Sequence, residues 1–187
     1  MNKPILFETQ RLTFRQMDLG DIDDLRTIFS DAEAMRYYPS TKNITETEGW
    51  IAWNQASYVV NGFGLWVAAL KETGEFAGQC GLVTQIVNGR QEVEVGYLFR
   101  RSLWNRGLAT EAARACADRA FHEYGRTRLI ALIDPCNLAS RRVALKIGMR
   151  LEQEIEKWNK RVCVYSMEKT FRTEERIKEL RKTVASP

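Results

Sequence analysis

Histidine is nearly absent from this sequence: of 187 residues only one, His122, is a histidine. A Ser-His-Asp arrangement is therefore not credible, because it needs an imidazole beside the nucleophile. His122 falls on a helix face opposite Ala109, Ala113 and Ala120, beside Glu111 and Asp118, which predicts a solvent-exposed side chain without a catalytic part. Cysteine is also scarce. Cys80, Cys116, Cys136 and Cys163 are widely spaced with no Cys-x-x-Cys, so they read as small core or near-surface thiols, neither disulfides nor zinc ligands. The chain has no G-x-x-x-x-G-K-[ST] and no G-x-G-x-x-G, which argues against a nucleotide P-loop and a dinucleotide fold. No run approaches the roughly 18 apolar residues of a membrane span. The opening MNKPILFETQRL lacks the apolar core and small-residue cleavage site of a signal peptide. These absences predict a cytoplasmic protein with no metal and no membrane attachment.

What is present is an ordinary globular composition, 44% hydrophobic and 28% charged, of a length that fits one domain. The net charge of +4 is too mild to suggest direct nucleic-acid binding. Its distribution is more informative. Asp18, Asp21, Asp23, Asp24, Asp31 and Glu33 make the early segment acidic, whereas Arg100, Arg101, Arg106, Arg126, Arg128, Arg141, Arg142, Lys146 and Arg150 make the second half basic. That asymmetry suits an anionic cofactor in the second half and a cationic acceptor near the first.

Hydrophobic periodicity predicts a mixed α/β sheet flanked by helices. Residues 8–16 alternate as one strand, and 21–30 carry helical spacing. Thr45-x-x-Glu48 reads as a capping box opening a helix that Asn61-Gly62 stops. Strand-like runs follow at 64–70, 76–87 and 91–99, with Asn88-Gly89 as a hairpin turn. A helix over 107–124, a buried strand over 128–134 and a helix over 137–148 come next, the last with Asn137 as N-cap and Gly148 past its end. Two strands, 150–157 and 161–169, enclose Asn159-Lys160. Residues 171–187 form a charged tail with Ile177, Leu180 and Val184 at helical spacing.

The segment LWNRGLATEAA, residues 103–113, sets a glycine, a small residue and a threonine at a helix start, beside Arg100, Arg101 and Arg106. Unpaired N–H groups and the helix dipole make such a place suited to an anion. Gly107 lets the backbone approach closely, Ala109 keeps the next position small and Thr110 adds a hydroxyl. A plain helix start has the same spacing.

The wider run EVGYLFRRSLWNRGLATEAARACADRAF, residues 94–121, resembles the acyl-CoA-binding core of the GNAT N-acetyltransferases. The family pattern there is Gln/Arg-x-x-Gly-x-Gly/Ala. Gly107 and Ala109 match its last two positions, and Trp104 departs from the first. A Trp followed by Gly-x-Ala-Thr-Glu-Ala is similar to the subgroup that acetylates the N-termini of ribosomal proteins. Glu8-Thr9-x-Arg11-Leu12-x-x-Arg15 and Asn137-x-x-Ser140-x-x-x-Ala144-x-Lys146-x-Gly148 resemble that subgroup's first strand and last helix. The resemblance spans roughly residues 7 to 170 and implies one largely antiparallel acetyltransferase domain. It implies acetyl-CoA as co-substrate, held by Leu98, Phe99, Arg100, Asn105, Arg106, Gly107, Leu108, Ala109 and Thr110, with Asn137 on the pantetheine arm. The N–H near Leu98 would bond the thioester carbonyl.

The chemistry so implied is attack of a neutral amine on a thioester. At pH 7 an α-amine is about one-seventh neutral and a lysine about one in 2,500, so an α-amine needs only modest help from a base. Glu92 and Glu94 share a strand face with Gly96 and Leu98. Glu94 is the preferred base because it lies closer to the thioester site the resemblance implies. The tyrosine that protonates the leaving thiolate in many family members is replaced by Ala144, which leaves Ser140 as the candidate and Tyr165 as a substitute. Tyr37, Tyr38, Trp50 and Trp53 are candidates for the acceptor wall, or are core. The leading function is acetylation of a protein α-amine, possible acceptors being ribosomal proteins. A small-amine acetyltransferase acting on polyamines or antibiotics, and a non-enzymatic acyl-CoA-binding module, stay open, as do monomer and homodimer.

Overall fold

The computed structural model describes residues 3–169; the charged tail at 171–187 lies outside the described residues. Its centre is an eight-stranded sheet. The strands are β1 (Phe7–Glu8), β2 (Leu12–Arg15), β3 (Leu65–Leu70), β4 (Phe76–Val87), β5 (Arg90–Phe99), β6 (Arg128–Ile133), β7 (Arg150–Lys157) and β8 (Lys160–Glu168). The order is β1-β2-β3-β4-β5-β6-β8-β7, antiparallel throughout except for β5 beside β6. Four helices accompany it: α1 (Ile22–Phe29), α2 (Ile44–Asn61), α3 (Leu108–His122) and α4 (Leu138–Lys146). No helix among the described residues is long and apolar enough to cross a membrane.

Three local readings are corrected. The first strand is broken: Thr9 N–H donates to the Leu12 carbonyl at 2.8 Å, and β1 folds back on β2. The second helix starts earlier than Thr45. Asn43 accepts from Glu46 N–H at 2.9 Å while the Glu46 carboxylate accepts from Asn43 N–H at 2.8 Å. NITETE contains two overlapping boxes, and asparagine is the better N-cap of the two. In the β7–β8 turn the positive-φ residues are Trp158 and Asn159, one position earlier than Asn159-Lys160. The Asn88-Gly89 turn has the expected positive φ at both residues, +49° and +75°.

The small residues of α3 set its distance from the sheet. Ala112, Ala113, Cys116, Ala117 and Ala120 are buried where α3 packs on β4 and β5. Side chains this small bring the helix backbone close enough for its first turn to meet the end of β5. Cys80 on β4 and Cys116 face each other with sulfurs 3.5 Å apart; Cys163 is also buried and Cys136 exposed, all four as free thiols. His122 is exposed, its Nδ1 against the Asp118 carbonyl.

The acidic early segment is largely neutralised internally. Asp21, only 1% exposed, accepts from both Arg15 guanidinium nitrogens at 2.7 and 2.8 Å, from Lys3 Nζ at 2.8 Å and from Asp18 N–H at 2.9 Å. Asp18 shares Lys3, and Asp31 pairs with Arg101. Asp18 and Asp21 therefore brace the N-terminal segment, whereas Asp23 and Asp24 make no ion pair among the described residues.

Burial pushes the Asp21 carboxyl up, but hydrogen bonds from Arg15, Lys3 and Asp18 outweigh it and hold the group below the usual carboxylate range. A lowered folded pKa contributes stability above the unfolded value and loses it as pH falls through the folded one. Asp21→Asn, which strands two cations, should cost about 3 kcal/mol at pH 7 in urea denaturation. The deficit relative to wild type should shrink below about pH 4.

Candidate active site

A parallel strand pair that parts company is the origin of the site. β5 and β6 are paired where Glu94 faces Ile130, and no pairing continues beyond it. β6 bonds β8 on its other side, so the Leu132 N–H faces the gap without a strand partner. The Glu94 carboxylate fills that vacancy. One oxygen accepts from Leu132 N–H at 3.1 Å and the other from the Gln85 amide at 2.8 Å. Burial pushes the Glu94 pKa up to about 7, against the pull of these two hydrogen bonds and of Lys157. A carboxyl so tuned can accept a proton near neutral pH.

Past Glu94, which does not itself line it, the gap opens into a groove of 340 Å³. The end of β5 supplies Tyr97, Leu98 and Phe99 along one wall, and α4 with its cap supplies Asn137, Ser140 and Val143 along the other. The mouth of α3 closes one end with Gly107, Leu108, Ala109 and Thr110, together with Asn105 and Trp104 from the preceding loop. Tyr37 and Tyr38 come from the α1–α2 loop. This loop is strapped to the far side: the Tyr37 hydroxyl donates to the Cys136 carbonyl at 2.9 Å, and Lys160 Nζ donates to the Tyr37 carbonyl at 2.6 Å. The Tyr38 phenol is pushed up to about 12 by desolvation, with Glu94 adding to it.

Gly107 holds φ +78° at the start of α3, and a Cβ built there would meet only Arg11 Nη2, at 3.5 Å. The open side of the helix mouth is thus free for an anion, and only glycine holds this φ without strain. A clamp that the sequence did not reveal secures it. Glu111, in the first turn of α3, accepts from Thr9 Oγ1 at 2.6 Å, Arg11 N–H at 2.8 Å and Arg11 Nε at 2.7 Å. Arg11 Nη1 then donates to the Arg106 carbonyl at 2.8 Å. Glu111 lies 102 positions from Thr9 and 100 from Arg11, so no local pattern links it to them. Trp104, at the departure from the family pattern, donates its indole N–H to the Phe99 carbonyl at 2.9 Å and so caps the end of β5.

Several candidates fall elsewhere. Arg100 turns away to pair with Glu75 and to reach the Phe76 carbonyl. Arg106 contributes its carbonyl to the clamp, and its exposed side chain does not line the groove. Trp50 packs edge-on to Phe29 and donates to the Gln79 amide oxygen at 2.9 Å, while Trp53 tilts against Trp50; neither lines the groove. Glu92 is engaged by Arg128, which also binds Glu152 and Glu168, so it serves a structural ion cluster. Tyr165 is buried with its hydroxyl held by Arg141 Nε at 2.9 Å, outside the groove. Ala144 is fully buried in the core.

Asn137 and Ser140 do reach the groove. Asn137 Oδ1 caps α4 by accepting from Ser140 N–H at 3.0 Å, which leaves Nδ2 to offer a ligand. Tyr97, not singled out from sequence, crosses the gap to donate its hydroxyl to the Ser140 carbonyl at 2.9 Å. Its place in an alternating strand run gave the only signal.

Comparison with known proteins agrees with this geometry. Residues 11–150 match the acetyltransferase (GNAT) domain family. YkkB of Bacillus subtilis (strain 168) is 44% identical over 166 residues, covering 88% of this chain and 96% of YkkB. The acetyltransferase from Agrobacterium tumefaciens str. C58 superposes with a TM-score of 0.78 at 27% identity, over 90% of this chain and 96% of that one. RimL, a ribosomal alpha-N-protein acetyltransferase solved in complex with coenzyme A, shares the fold with a TM-score of 0.71 at 16% identity, over 88% and 98% of the two chains. The chain belongs to the GNAT family and is an acetyl-CoA-dependent N-acetyltransferase.

Gly107→Val should leave the far-ultraviolet circular dichroism spectrum close to wild type, because the added side chain points into the open groove. It should weaken coenzyme A binding by at least about tenfold in calorimetric titration, since a β-branched residue opposes this φ and covers the helix mouth.

Proposed function

We propose that this protein acetylates the N-terminal α-amine of a protein by direct attack in a ternary complex, with Glu94 as the base. The observation that carries the reading is the Glu94 carboxyl, pushed up to about 7 behind the groove wall, where it acts on Tyr38 and Tyr97, both of which line the groove. An α-amine with a pKa near 7.8 lies within about one unit of it, whereas a lysine amine lies more than three units above. Glu94 takes the amine proton, directly or through water, and the amine adds to the thioester carbonyl. The backbone N–H near Leu98 holds the oxyanion. The carbon–sulfur bond then breaks and the thiolate is protonated by water directly or through Ser140, which regains its proton from water, while Glu94 releases the amine proton to water, giving the amide and coenzyme A. The phosphates lie at the α3 mouth against Gly107, Leu108, Ala109 and Thr110, and Asn137 Nδ2 meets the pantetheine arm.

Charge on the acceptor side does not separate a peptide from a polyamine, because Arg36 pairs with Glu33 and Lys160 with Asp134. Tyr37 and Tyr38 line the side from which an acceptor would enter. Ribosomal-protein N-termini are the acceptor class to test first, because RimL carries that activity on the same fold.

For wild type, kcat/KM for a peptide should rise with pH through about 7, as Glu94 ionises. Glu94→Gln should lose ~10²–10⁴ in kcat and retain coenzyme A binding, with the deficit shrinking at high pH as more amine is already neutral. Ser140→Ala should cost less, since water can protonate a thiolate. A coupled thiol-release assay with peptide and polyamine panels measures all of this. Wild-type rates in Glu94→Gln from pH 6 to 9 would remove Glu94 from the mechanism.

A further inference from the structure

Glu94 is oriented by groups that stand outside the groove. We propose that Gln85 is a positioning residue for the Glu94 carboxylate, supported by Lys157, and that together they set the pH range in which the enzyme works. This inference rests on the reading of Glu94 as the base.

The sheet register explains a glutamine at position 85. Val83 on β4 lies directly opposite Glu94, and Gln85 lies opposite Glu92. An apolar Val83 offers the carboxylate no hydrogen bond. Gln85 is two residues further along β4, hence on the same face of the sheet and diagonal to Glu94, a separation that a long side chain spans. Its Nε2 donates to Glu94 Oε2 at 2.8 Å, while Leu132 N–H donates to Oε1 at 3.1 Å. One donor on each oxygen fixes the plane of the carboxylate and favours its ionised form. The Leu132 donor is backbone, so Gln85 is the half of this pair that a side-chain substitution removes.

Lys157, the last residue of β7, adds a charge held in place. Its Nζ donates at 2.8 Å to the carbonyl of Ile86, the residue after Gln85. From there the ammonium also favours the ionised carboxylate. The other titratable groups near Glu94 do not share this part. Tyr38 from the α1–α2 loop and Tyr97 on β5 are phenols raised above their usual value, so both are neutral near pH 7. Glu92, two residues away on the same strand face, is engaged by Arg128. Neither Gln85 nor Lys157 lines the groove, so their loss leaves the walls that meet acceptor and coenzyme intact.

The test is the pH dependence of kcat/KM for wild type, Gln85→Met, Lys157→Met and Glu94→Gln. One peptide acceptor is used throughout, so that the amine's own titration is common to every profile. Gln85→Met keeps the length of the side chain without the donor. A carboxylate that loses a donor binds its proton more tightly, so the rise in rate should move to higher pH by about one unit. The rate should fall by up to about tenfold at pH 6 and approach wild type at pH 9. Lys157→Met should move the rise the same way by less, and its shift should shrink at high salt, because a charge acting over a distance is screened. Calorimetric affinity for coenzyme A should match wild type in both. Lys157 sits on the edge strand and tests the same prediction if Gln85→Met does not fold. An unmoved rise in both variants, with activity lost in Glu94→Gln, overturns the inference and leaves Glu94 as the base. A loss by one constant factor from pH 6 to 9 in Gln85→Met makes its bond purely structural and also overturns the inference. Wild-type rates in Glu94→Gln overturn it together with the reading it rests on.

Discussion

A carboxylate bonded to a stranded backbone N–H holds the two halves of this sheet in their working relation. Parallel strands that stop pairing leave polar groups facing a gap, and a buried N–H without a partner is costly. Glu94 satisfies Leu132 across the opening and is in turn held by Gln85. The same desolvation that makes this bond valuable raises the carboxyl pKa to about 7. Structural support and proton affinity thus have one cause, the position of Glu94 where the strands part. Tyr97 spans the gap from β5 to α4 a little further on, so the groove walls are tied at both depths.

The other end of the groove depends on contacts between distant parts of the chain. Small residues let α3 lie close to β4 and β5, which brings its first turn to the end of β5. Glu111 then draws in the turn between β1 and β2, and Arg11 reaches on to the loop before Gly107. Burial pushes the Glu111 carboxyl up, and the hydrogen bonds from Thr9 and Arg11 more than reverse this, keeping it ionised. The helix mouth is therefore preorganised before any anion arrives, and less ordering is left for binding to offset.

Sequence reading was most reliable where the cause of structure is local. Asn88-Gly89 and Asn61-Gly62 mark turns because few residues tolerate positive φ, and the glycines at 62, 89 and 107 all adopt it. Face alternation placed Glu94, and the strand split then gave it a partner and a raised pKa that no local pattern could show. Trp50 and Trp53 illustrate the opposite case: an aromatic on a helix has the same spacing whether it meets a ligand or Phe29. The alternation of residues 8–16 hides the break after β1, because Glu111, which binds Thr9 and Arg11 there, lies far along the chain. Arg100 stands beside Arg101 and Arg106 in sequence, yet Glu75 across the β3–β4 turn decides where it points.

The clamp on Glu111 has a consequence for the order of assembly. The hairpins β4–β5 and β7–β8 join neighbours in sequence and close short loops, whereas Arg11 and Glu111 are separated by a hundred residues. Long loops cost more entropy to close, so such contacts form late. The turn between β1 and β2 thus fastens the mouth of a helix that follows a hundred residues later in the chain. A chain with its central sheet already folded still lacks a finished helix mouth until the β1–β2 turn returns to complete it.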